Sequence, residues 1–358
     1  MKTLKISYIL FLTFLLSLTF TQCESGRKLS NGMSVTGKVG EILVVCEQDI
    51  WNSGLQEALD SQLVKYILPY LPDVPTFQLT HRTPKHFTQG VRRFRNTLFL
   101  KIDPNYQGEN GKIEKRLDVW AKGQVVIDIT GKNYNQLLDA CIKGLGKVHK
   151  EFDDVSWRRL LKNFKQSRND NLKKAVKKNF GVEMVLPSHS KLVTKRKNFY
   201  RIEFPASSRP IEFNGPGGTE NPGTIFSGIM VYQYNFIDSS QFELKNLLMA
   251  RDTMLRYNVP SEVEGMYMGT QYNPIVYPEM NAIETIYKVK GIETRGMFMF
   301  KGKPKHSTGG AYWDFHFLHP TRNKIICVSG YVDAPVTTTW THPLREVQAI
   351  LRSITIAE

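Results

Sequence analysis

The spacing of apolar residues changes near residue 180, and this change restricts the fold more than any single motif does. Before it, short apolar strands alternate with helical segments, a pattern typical of a mixed α/β unit. After it, long strand-like runs follow one another with few helices between them, which predicts an antiparallel sheet covered by helices. The sequence therefore predicts an α/β (α+β) protein with an N-terminal mixed α/β unit over 39–180 and a C-terminal antiparallel α+β unit over 181–358.

Apolar alternation and turn residues predict where the secondary structure lies. The predicted strands, in chain order, are 41–46, 76–80, 96–102, 124–130, 184–186, 199–204, 225–235, 283–289, 296–301, 311–319 and 324–332. A helical period predicts helices at 51–68, from about 134 to 180, at 240–257 and from Pro343 onwards. In the longest helix we expect a break around 151–154, and we expect Gly181 to end it in a left-handed cap.

The first 23 residues have the pattern of a bacterial lipoprotein export signal. A short basic start is followed by a mostly apolar run over 6–20 and then by Cys23. The run is too short for a membrane span, which needs roughly 20 apolar residues. We therefore expect residues 1–22 to be a signal peptide, Cys23 to carry a lipid anchor, and residues 23–38 to form a flexible tether.

Two residues beside the expected cleavage point depart from the usual lipoprotein pattern. Phe20 stands where such signals usually have Leu, and Gln22 stands where they usually have a small residue. An ordinary signal cut nearby and an uncut N-terminal anchor therefore remain as alternatives. With the lipid in place, the protein is predicted to be exported and anchored to a bacterial envelope membrane.

The positive charge of the chain is concentrated in one segment. The formal net charge is +15, and residues 155–197 contain thirteen Lys or Arg against two acids, Asp170 and Glu183. At 100° per residue, apolar side chains from Trp157 to Val176 share one side of a helix, and cations cover most of the other. Arg168 falls within the apolar stripe, so either its stem passes the edge of the core or the helix breaks at 169–171.

This basic helix, 158–178, is the candidate site for an anionic lipid or glycan of the envelope. A solvated helix exterior is the alternative interpretation of the same pattern. Nucleic acid is not a predicted partner, because the protein is exported and aromatic residues do not interleave with the cations. The candidate anion-binding residues are Arg158, Arg159, Lys162, Lys165, Lys173, Lys174, Lys177 and Lys178.

Cysteine and histidine spacing predicts neither a cofactor nor a metal site. Cys46, Cys141 and Cys327 lie in apolar segments and are expected to be buried, although pairing of two of them stays open. On a strand, Asp314 and His316 point to one face, and two ligands are too few for a metal. We expect this pair on the solvated side of an edge strand.

Two acidic residues are the candidates for enzymatic activity. Glu264 and Glu279 lie in a Tyr- and Met-rich connector, 262–280, where paired carboxylates in an aromatic groove are typical of glycan hydrolases. The Gly-rich loop 215–223 lacks the GK[ST] ending of a phosphate-binding loop. Nucleophile-elbow and HExxH motifs are absent from the sequence.

Eight short segments, spread over nearly all of the chain after the signal, resemble one family. They are GKVGEILVVCE at 37–47, FRNTLFLKI at 94–102, MVLP at 184–187, EGMYMGT at 264–270, RGMFMFKG at 295–302, GGAYWDF at 309–315, GYVDAPV at 330–336 and REVQAILRSI at 345–354. They are similar to an uncharacterised lipoprotein family of Bacteroidota, domain of unknown function 4837. The resemblance supports lipidation of Cys23 and implies no functional residue. The second half also resembles, more distantly, the extrinsic photosystem subunit P-like fold, and fold alone does not give function.

The sequence favours a lipid-anchored envelope protein that acts as a non-catalytic binding or assembly module. Another envelope protein is the expected partner, at the connector 262–280 or the loop 213–224. The first alternative is a binder of an anionic envelope component through the helix 158–178. The second is a hydrolase of glycans that uses Glu264 or Glu279, so the sequence leaves enzymatic activity open.

Overall fold

A computed structural model describes residues 33–67, 69–70, 73–209, 223–261, 263–302, 309–334 and 340–357. Within them, the first half of the chain builds a five-stranded sheet in the order β2-β1-β3-β5-β4. β1, β2, β3 and β5 are parallel and β4 is antiparallel to β5, so this unit is mixed, as predicted. The strands are β1 Glu41–Val45, β2 Gln78–Arg82, β3 Asn96–Ile102, β4 Lys112–Leu117 and β5 Val125–Gly131.

Helices cover one face of this first sheet. Short helices α1 Gln48–Trp51 and α2 Leu55–Leu59, a π-helical turn at Asp60–Val64 and the long helix α3 Tyr134–Gln166 pack on it. The predicted helix at 51–68 is therefore interrupted. Asn133 caps α3 by accepting a hydrogen bond from the Gln136 amide at 3.0 Å, as an N-cap Asn is expected to.

The long basic helix is broken once, close to 169–171, the place that the position of Arg168 on the helical wheel offered as an alternative. α3 runs without interruption through 151–154, so the break expected there is wrong. The chain instead leaves the helix at Ser167 and restarts as α4 Asp170–Phe180, with Asn169 as its cap. Gly181 ends α4 with φ of 71°, which confirms the predicted left-handed cap.

The second half builds an antiparallel sheet, nine-stranded in the described residues, with the order β11-β13-β14-β15-β10-β8-β7. β12 also pairs with β13, and β9 with β10. A separate short pair joins β6 Val182–Glu183 to β16 Thr355–Ile356. The strands of the large sheet are β7 Lys191–Arg196, β8 Phe199–Glu203, β9 Ser207–Arg209, β10 Gly223–Asn235, β11 Tyr267–Thr270, β12 Glu279–Glu284, β13 Lys290–Lys301, β14 Gly309–Leu318 and β15 Lys324–Asp333.

Both faces of the large sheet are covered by helices, which confirms the predicted fold class. α4 and the final helix α6, Thr341–Arg352, pack on one face, and α5, Leu244–Asn258, packs on the other. α4 buries Leu172, Val176 and Phe180 in the core of this second sheet. α4 therefore packs with the second sheet, whereas α3 packs mainly on the first.

Two buried side chains join the sheets. Arg345 of α6 donates to Asp153 Oδ1 of α3 at 2.8 Å and to the Thr76 carbonyl at 2.7 Å. Its guanidinium lies between the rings of Phe77 and Trp157. Tyr70, from the first half, donates its hydroxyl to the Tyr312 carbonyl of β14 at 2.7 Å. Buried hydrogen bonds and ring contacts therefore connect the two units.

The predicted strands missed β4, β7 and β11 and the short strands β6, β9 and β16. Every residue of β4 is exposed, so its sequence KIEKRL has no apolar face to detect. Among the described residues, helices long and apolar enough to span a membrane are not found.

Candidate functional site

Helix α5 carries two adjacent charged residues, Arg251 and Asp252, which point to opposite sides. Arg251 points towards β14, and Asp252 points towards the connector 262–280. Arg251 points into the core, where its side chain and that of Asp314 on β14 are both fully buried. Arg251 Nε donates to Asp314 Oδ2 at 2.9 Å, and its Nη1 donates to Thr270 Oγ1 at 3.2 Å. Its guanidinium also lies 3.7 Å from the centre of the Tyr312 ring, a cation–π distance. Arg251 thereby ties α5 to β14 and β11.

The buried acid and histidine of β14 correct a prediction. Asp314 and His316 share a face, as expected, but they are 0% and 1% exposed and do not lie on the solvated side of an edge strand. β14 is central, between β13 and β15, and α5 covers the face that these side chains occupy. The alternation of side chains along a strand predicts correctly that Asp314 and His316 share a face. Whether the strand is central or at an edge depends on pairing between distant segments, which the local sequence does not show.

Burial sets the ionisation of this cluster. It raises the pKa of Asp314 to about 6, against the lowering effect of Arg251. It also lowers the pKa of His316 to about 3, and Arg251 adds to that shift, so the imidazole is neutral. The Cys327 thiol has its pKa raised well above the usual value by burial and by Asp314. The thiol therefore stays protonated.

Asp314, His316 and Cys327 are the residues best placed to hold a metal. Their ligand atoms all lie within 4.8 Å of one another. A divalent ion there would have to displace the Arg251 guanidinium from Asp314 and ionise or coordinate a thiol whose pKa is raised. The donor set therefore fits the buried ion pair better than it fits a metal. Cys46 and Cys141 are likewise buried and free thiols.

Asp252, the next residue, holds the connector 262–280 from outside. Its carboxylate accepts hydrogen bonds from the Thr270 amide at 2.8 Å, the Tyr272 hydroxyl at 3.0 Å and Lys301 Nζ at 3.0 Å. Burial acts to raise the pKa of Asp252, but the bonds from Thr270 and Lys301 outweigh it, and the pKa is lowered. Asp252 is therefore an ionised anchor for the connector.

Beyond this anchor the connector exposes a group of large apolar side chains, which we call the connector surface. β11 and β12 both pair with the outer side of β13, and the chain between them loops outward. The rings of Tyr272 and Tyr277 are 6.2 Å apart. The connector surface comprises Tyr272, Ile275, Tyr277 and Met280, which are 43%, 73%, 48% and 42% exposed.

The two acids proposed for glycan hydrolysis do not meet. Glu279 pairs with Arg295 of β13, whereas Tyr267, beyond which Glu264 lies in a turn, pairs with Lys301. Arg295 and Lys301 are six residues apart on β13, which corresponds to about 20 Å along the strand at ~3.3 Å per residue. The two carboxylates of a glycosidase lie about 5–9.5 Å apart. Glu279 is also bound to Arg295 at 2.9 Å.

The predicted anion-binding residues fall into two groups. Arg159 does not face solvent freely: it donates to the carbonyls of Gly123 and Arg95 and to Asn96 Oδ1. Burial, with the nearby Arg95, lowers its pKa to about 10. Lys173 and Lys177 both bind Glu183, at 2.6 and 2.8 Å. In contrast, Arg158, Lys162, Lys165, Lys174 and Lys178 are exposed. Anion binding by this helix stays a prediction.

A cleft of about 300 Å³ opens beside the break between α3 and α4. Lys165, Arg168, Lys173 and Glu183 supply its charged groups, and Tyr287 forms part of its wall. Lys165 Nζ lies 3.1 Å from the Tyr287 hydroxyl, and Arg168 binds Asp170 at 2.8 Å. Arg168 is therefore exposed and lies in the break between α3 and α4. Of the two interpretations of its place in the apolar stripe, the broken helix is the correct one.

Several predicted features lie outside the described residues. They are the signal peptide 1–22, the lipid anchor Cys23, most of the tether 23–38 and most of the Gly-rich loop 213–224. Arg251 and Asp252, in turn, were not predicted from the sequence as site residues. A signal was present, because Arg251 lies at helical spacing between the apolar residues Leu248 and Leu255 of one stripe.

The fold and the site define an α+β protein whose described residues offer a rigid apolar surface and a closed polar core. The chain belongs to the family described as Domain of unknown function (DUF4837), whose model matches residues 169–353. A separate model, Domain of unknown function (DUF8532), matches residues 35–165. The resemblance to family 4837 is thus confirmed for the second half, and the first half matches a model of its own.

Comparison with other proteins adds little. No curated protein matches the chain significantly. Among solved structures, the Ran-binding protein Mog1p of Saccharomyces cerevisiae is 13% identical over 50% of this chain and 91% of its own, with a TM-score of 0.28. A mutant of protein Mog1 is 12% identical over 50% of this chain and 92% of its own, with the same TM-score. A TM-score of 0.28 is too low to assign a shared fold.

The buried ion pair predicts a pH-dependent defect in Arg251→Leu. Loss of Arg251 leaves Asp314 buried without its partner, which should cost about 3–5 kcal/mol of unfolding free energy near neutral pH. Protonation of Asp314 favours the folded state, because its folded pKa of about 6 exceeds the unfolded value of about 3.9. That contribution is present at low pH and is lost as the pH rises through the folded pKa.

Arg251 lowers the pKa of Asp314, so the folded-state pKa of Asp314 is higher in the variant. The stability that protonation of Asp314 provides is then lost over a range that extends to higher pH. Urea unfolding at about pH 5 and about pH 8 should therefore show a larger deficit for Arg251→Leu at the higher pH. The double variant Arg251→Leu with Asp314→Leu is the control, since it removes both charges and should flatten this dependence. Equal deficits of the single variant at both pH values would contradict the assignment.

Proposed function

We propose that the chain is a Bacteroidota-type lipoprotein, anchored to a bacterial envelope membrane through Cys23, that binds another envelope protein as a non-catalytic assembly module. The export-signal pattern of residues 1–23 supports the anchor. The connector surface supports the binding role. Membership in a family without an assigned activity is compatible with either a binding or a catalytic role, so the argument rests on the site itself.

The observation that carries this proposal is the exposure of the connector surface. Large apolar side chains grouped on a surface favour a contact in which water is excluded, and Tyr and Met are enriched in the centres of protein interfaces. Ile275, the most exposed at 73%, stands between the two tyrosines. Asp252 and Lys301 hold Tyr272 in place, so little conformational entropy would be lost on binding.

The closed polar core supports a non-catalytic role. Asp314, His316 and Cys327 have shifted pKa values of the kind found in active sites, but none of them reaches solvent. A substrate would need to displace α5 to touch them. The distance between Glu264 and Glu279 removes the carboxylate pair that favoured hydrolysis.

Charge placed on the connector surface should abolish capture of the partner. In the double variant Ile275→Asp with Tyr277→Ser, the loss of apolar contact and the buried charge should reduce crosslinked partner by at least about ten-fold. The measurement is crosslinking in intact cells, followed by pull-down on a C-terminal tag and quantitative mass spectrometry. The control is Ile237→Asp, at a residue 78% exposed in the loop after β10. Equal recovery of one partner with both variants would remove the connector surface from the proposal.

The anchor has a separate test. Cys23→Ser removes the acceptor of the lipid, and the protein should move from the membrane fraction to the soluble fraction of lysed cells. Partition of the wild type and the variant after ultracentrifugation measures this. Intact-mass analysis of the wild-type N-terminal peptide should show the added acyl mass. A variant that remains in the membrane fraction with its first 22 residues uncut would show an N-terminal anchor instead.

The cleft beside the helix break favours a second function, binding of a small anionic component of the envelope. Lys165, Arg168 and Lys173 outnumber Glu183 around a volume large enough for a phosphate or a carboxylated sugar. Lys173 is bound to Glu183, and Arg168 holds Asp170 through its Nε. A ligand would therefore be met by Lys165, which contacts the neutral Tyr287 hydroxyl, and by the other nitrogens of the Arg168 guanidinium. This function uses the end of the basic helix and not its whole length.

Inorganic phosphate is the probe for this second function. Millimolar phosphate should raise the Tm of the wild type, because a ligand that binds only the folded state stabilises it. The double variant Lys165→Gln with Arg168→Gln should lose the rise, as measured against chloride at equal ionic strength. Lys174→Gln with Lys178→Gln removes the same charge from exposed residues outside the cleft and should keep it. An equal rise in all three proteins would exclude the cleft.

A further inference from the structure

The first described residues of the chain are fixed to the first unit. Ser34 pairs with Lys122, and the Lys122 amide donates to the Met33 carbonyl at 3.0 Å. Thr36 exchanges hydrogen bonds with the backbone of Arg93 and Arg95, at 2.9 and 3.0 Å. Residues 33–36 therefore lie between the segments 92–95 and 121–123, and this is where the N-terminal segment joins the folded protein.

A groove opens at this junction, with a volume of about 480 Å³. We call it the Met33 groove, and Met33, Arg92, Arg93 and Trp120 form most of its lining. Met33 is 41% exposed, Arg92 is exposed, and Arg93 and Trp120 are half-buried. The exposed Lys122 adjoins it through the pairing with Ser34. An apolar floor with a cationic rim is the arrangement that peripheral proteins use at anionic membranes.

Hydrogen bonds from one buried side chain hold the walls of the groove. The side-chain amide of Gln124, which is 1% exposed, donates to the carbonyls of Arg92 and Phe94 at 2.6 and 2.8 Å. Its oxygen accepts from the Trp120 amide at 3.0 Å. The Trp120 ring also packs edge-on against Phe87 at 5.2 Å. One buried side chain thus fixes both walls of the groove.

The charges near the groove are mostly positive. Arg92, Arg93 and Lys122 line or adjoin it, and Arg116 lies over the Trp120 ring at 5.9 Å. The acid closest in the chain is Asp118, which accepts a hydrogen bond from the Gly123 amide. Arg116 is itself bound to Asp128 at 2.7 Å, so it adds no net charge. Arg92, Arg93 and Lys122 against Asp118 still leave the surface attractive to anions at short range.

Covalent reach keeps this surface close to a lipid on Cys23. Met33 comes ten positions after Cys23 in the sequence. Covalent geometry limits the distance between them to about 35 Å, at ~3.3–3.6 Å per residue. The groove is the described surface nearest the anchor along the chain, so the membrane meets it at high effective concentration.

We propose that the Met33 groove and its cationic rim lie against the membrane and bind the headgroups of anionic phospholipids, which fixes how the anchored protein is oriented. This inference rests on the proposed lipid at Cys23. Trp120 occupies the interfacial level, where indole rings are favoured, and Arg92, Arg93 and Lys122 contact the headgroups.

The test uses the complete lipidated protein in vesicles of phosphatidylcholine alone or mixed with phosphatidylglycerol. Hydrogen–deuterium exchange with mass spectrometry follows peptides that cover residues 89–95 and 118–124. These peptides should exchange more slowly in the vesicles that contain phosphatidylglycerol, and high salt should remove the difference. The triple variant Arg92→Gln, Arg93→Gln, Lys122→Gln should lose it, while the main-chain bonds of these residues remain to hold the fold.

The matched control removes the same charge from the basic helix, as Lys162→Gln, Lys174→Gln, Lys178→Gln. This control should keep the slowed exchange. Equal exchange in both kinds of vesicle, or equal loss in the two triple variants, would overturn the assigned orientation while leaving the anchor intact. A wild-type N-terminal peptide without acyl mass would overturn the anchor itself, and this inference with it.

Discussion

The buried pair of Arg251 and Asp314 is the constraint on which the second unit depends. A charge this far from water is tolerated only beside a well-placed partner, so α5 can take only the rotation that brings Arg251 over β14. That rotation sends the neighbouring Asp252 outward to Thr270 and Tyr272. The position of the connector surface is therefore set from inside the core, by one ion pair and the geometry of a helix.

The sequence was a good guide wherever the signal was local and a poor one wherever it depended on distant pairing. Apolar alternation gave β3 to the residue and the antiparallel character of the second sheet. It could not give β4 or β7, whose residues are largely exposed and charged. It also could not predict that Asp314 is buried, because the sequence of one strand does not show whether that strand lies at the edge or in the centre of its sheet.

The basic helix illustrates the same limit for charge. A helical wheel shows which side of the helix a cation is on, but it does not show which groups from other segments bind that cation. Here the Gly123 carbonyl binds Arg159, and Glu183 binds Lys173. The cations available to a ligand are consequently fewer than the count along the sequence suggests. In the same way, Arg92 and Lys122 are brought together by the fold alone, since thirty residues of chain separate them.

Arg345 has a consequence for the order in which the protein can be completed. The groups that receive it, Asp153 and the Thr76 carbonyl, belong to the first unit and precede Arg345 by 192 and 269 residues. A polypeptide that emerges N-terminus first must hold its first sheet without the Arg345 contacts to Phe77 and Trp157 until α6 has been made. The interior of the first unit is thus completed by a helix that is synthesised long after its own strands.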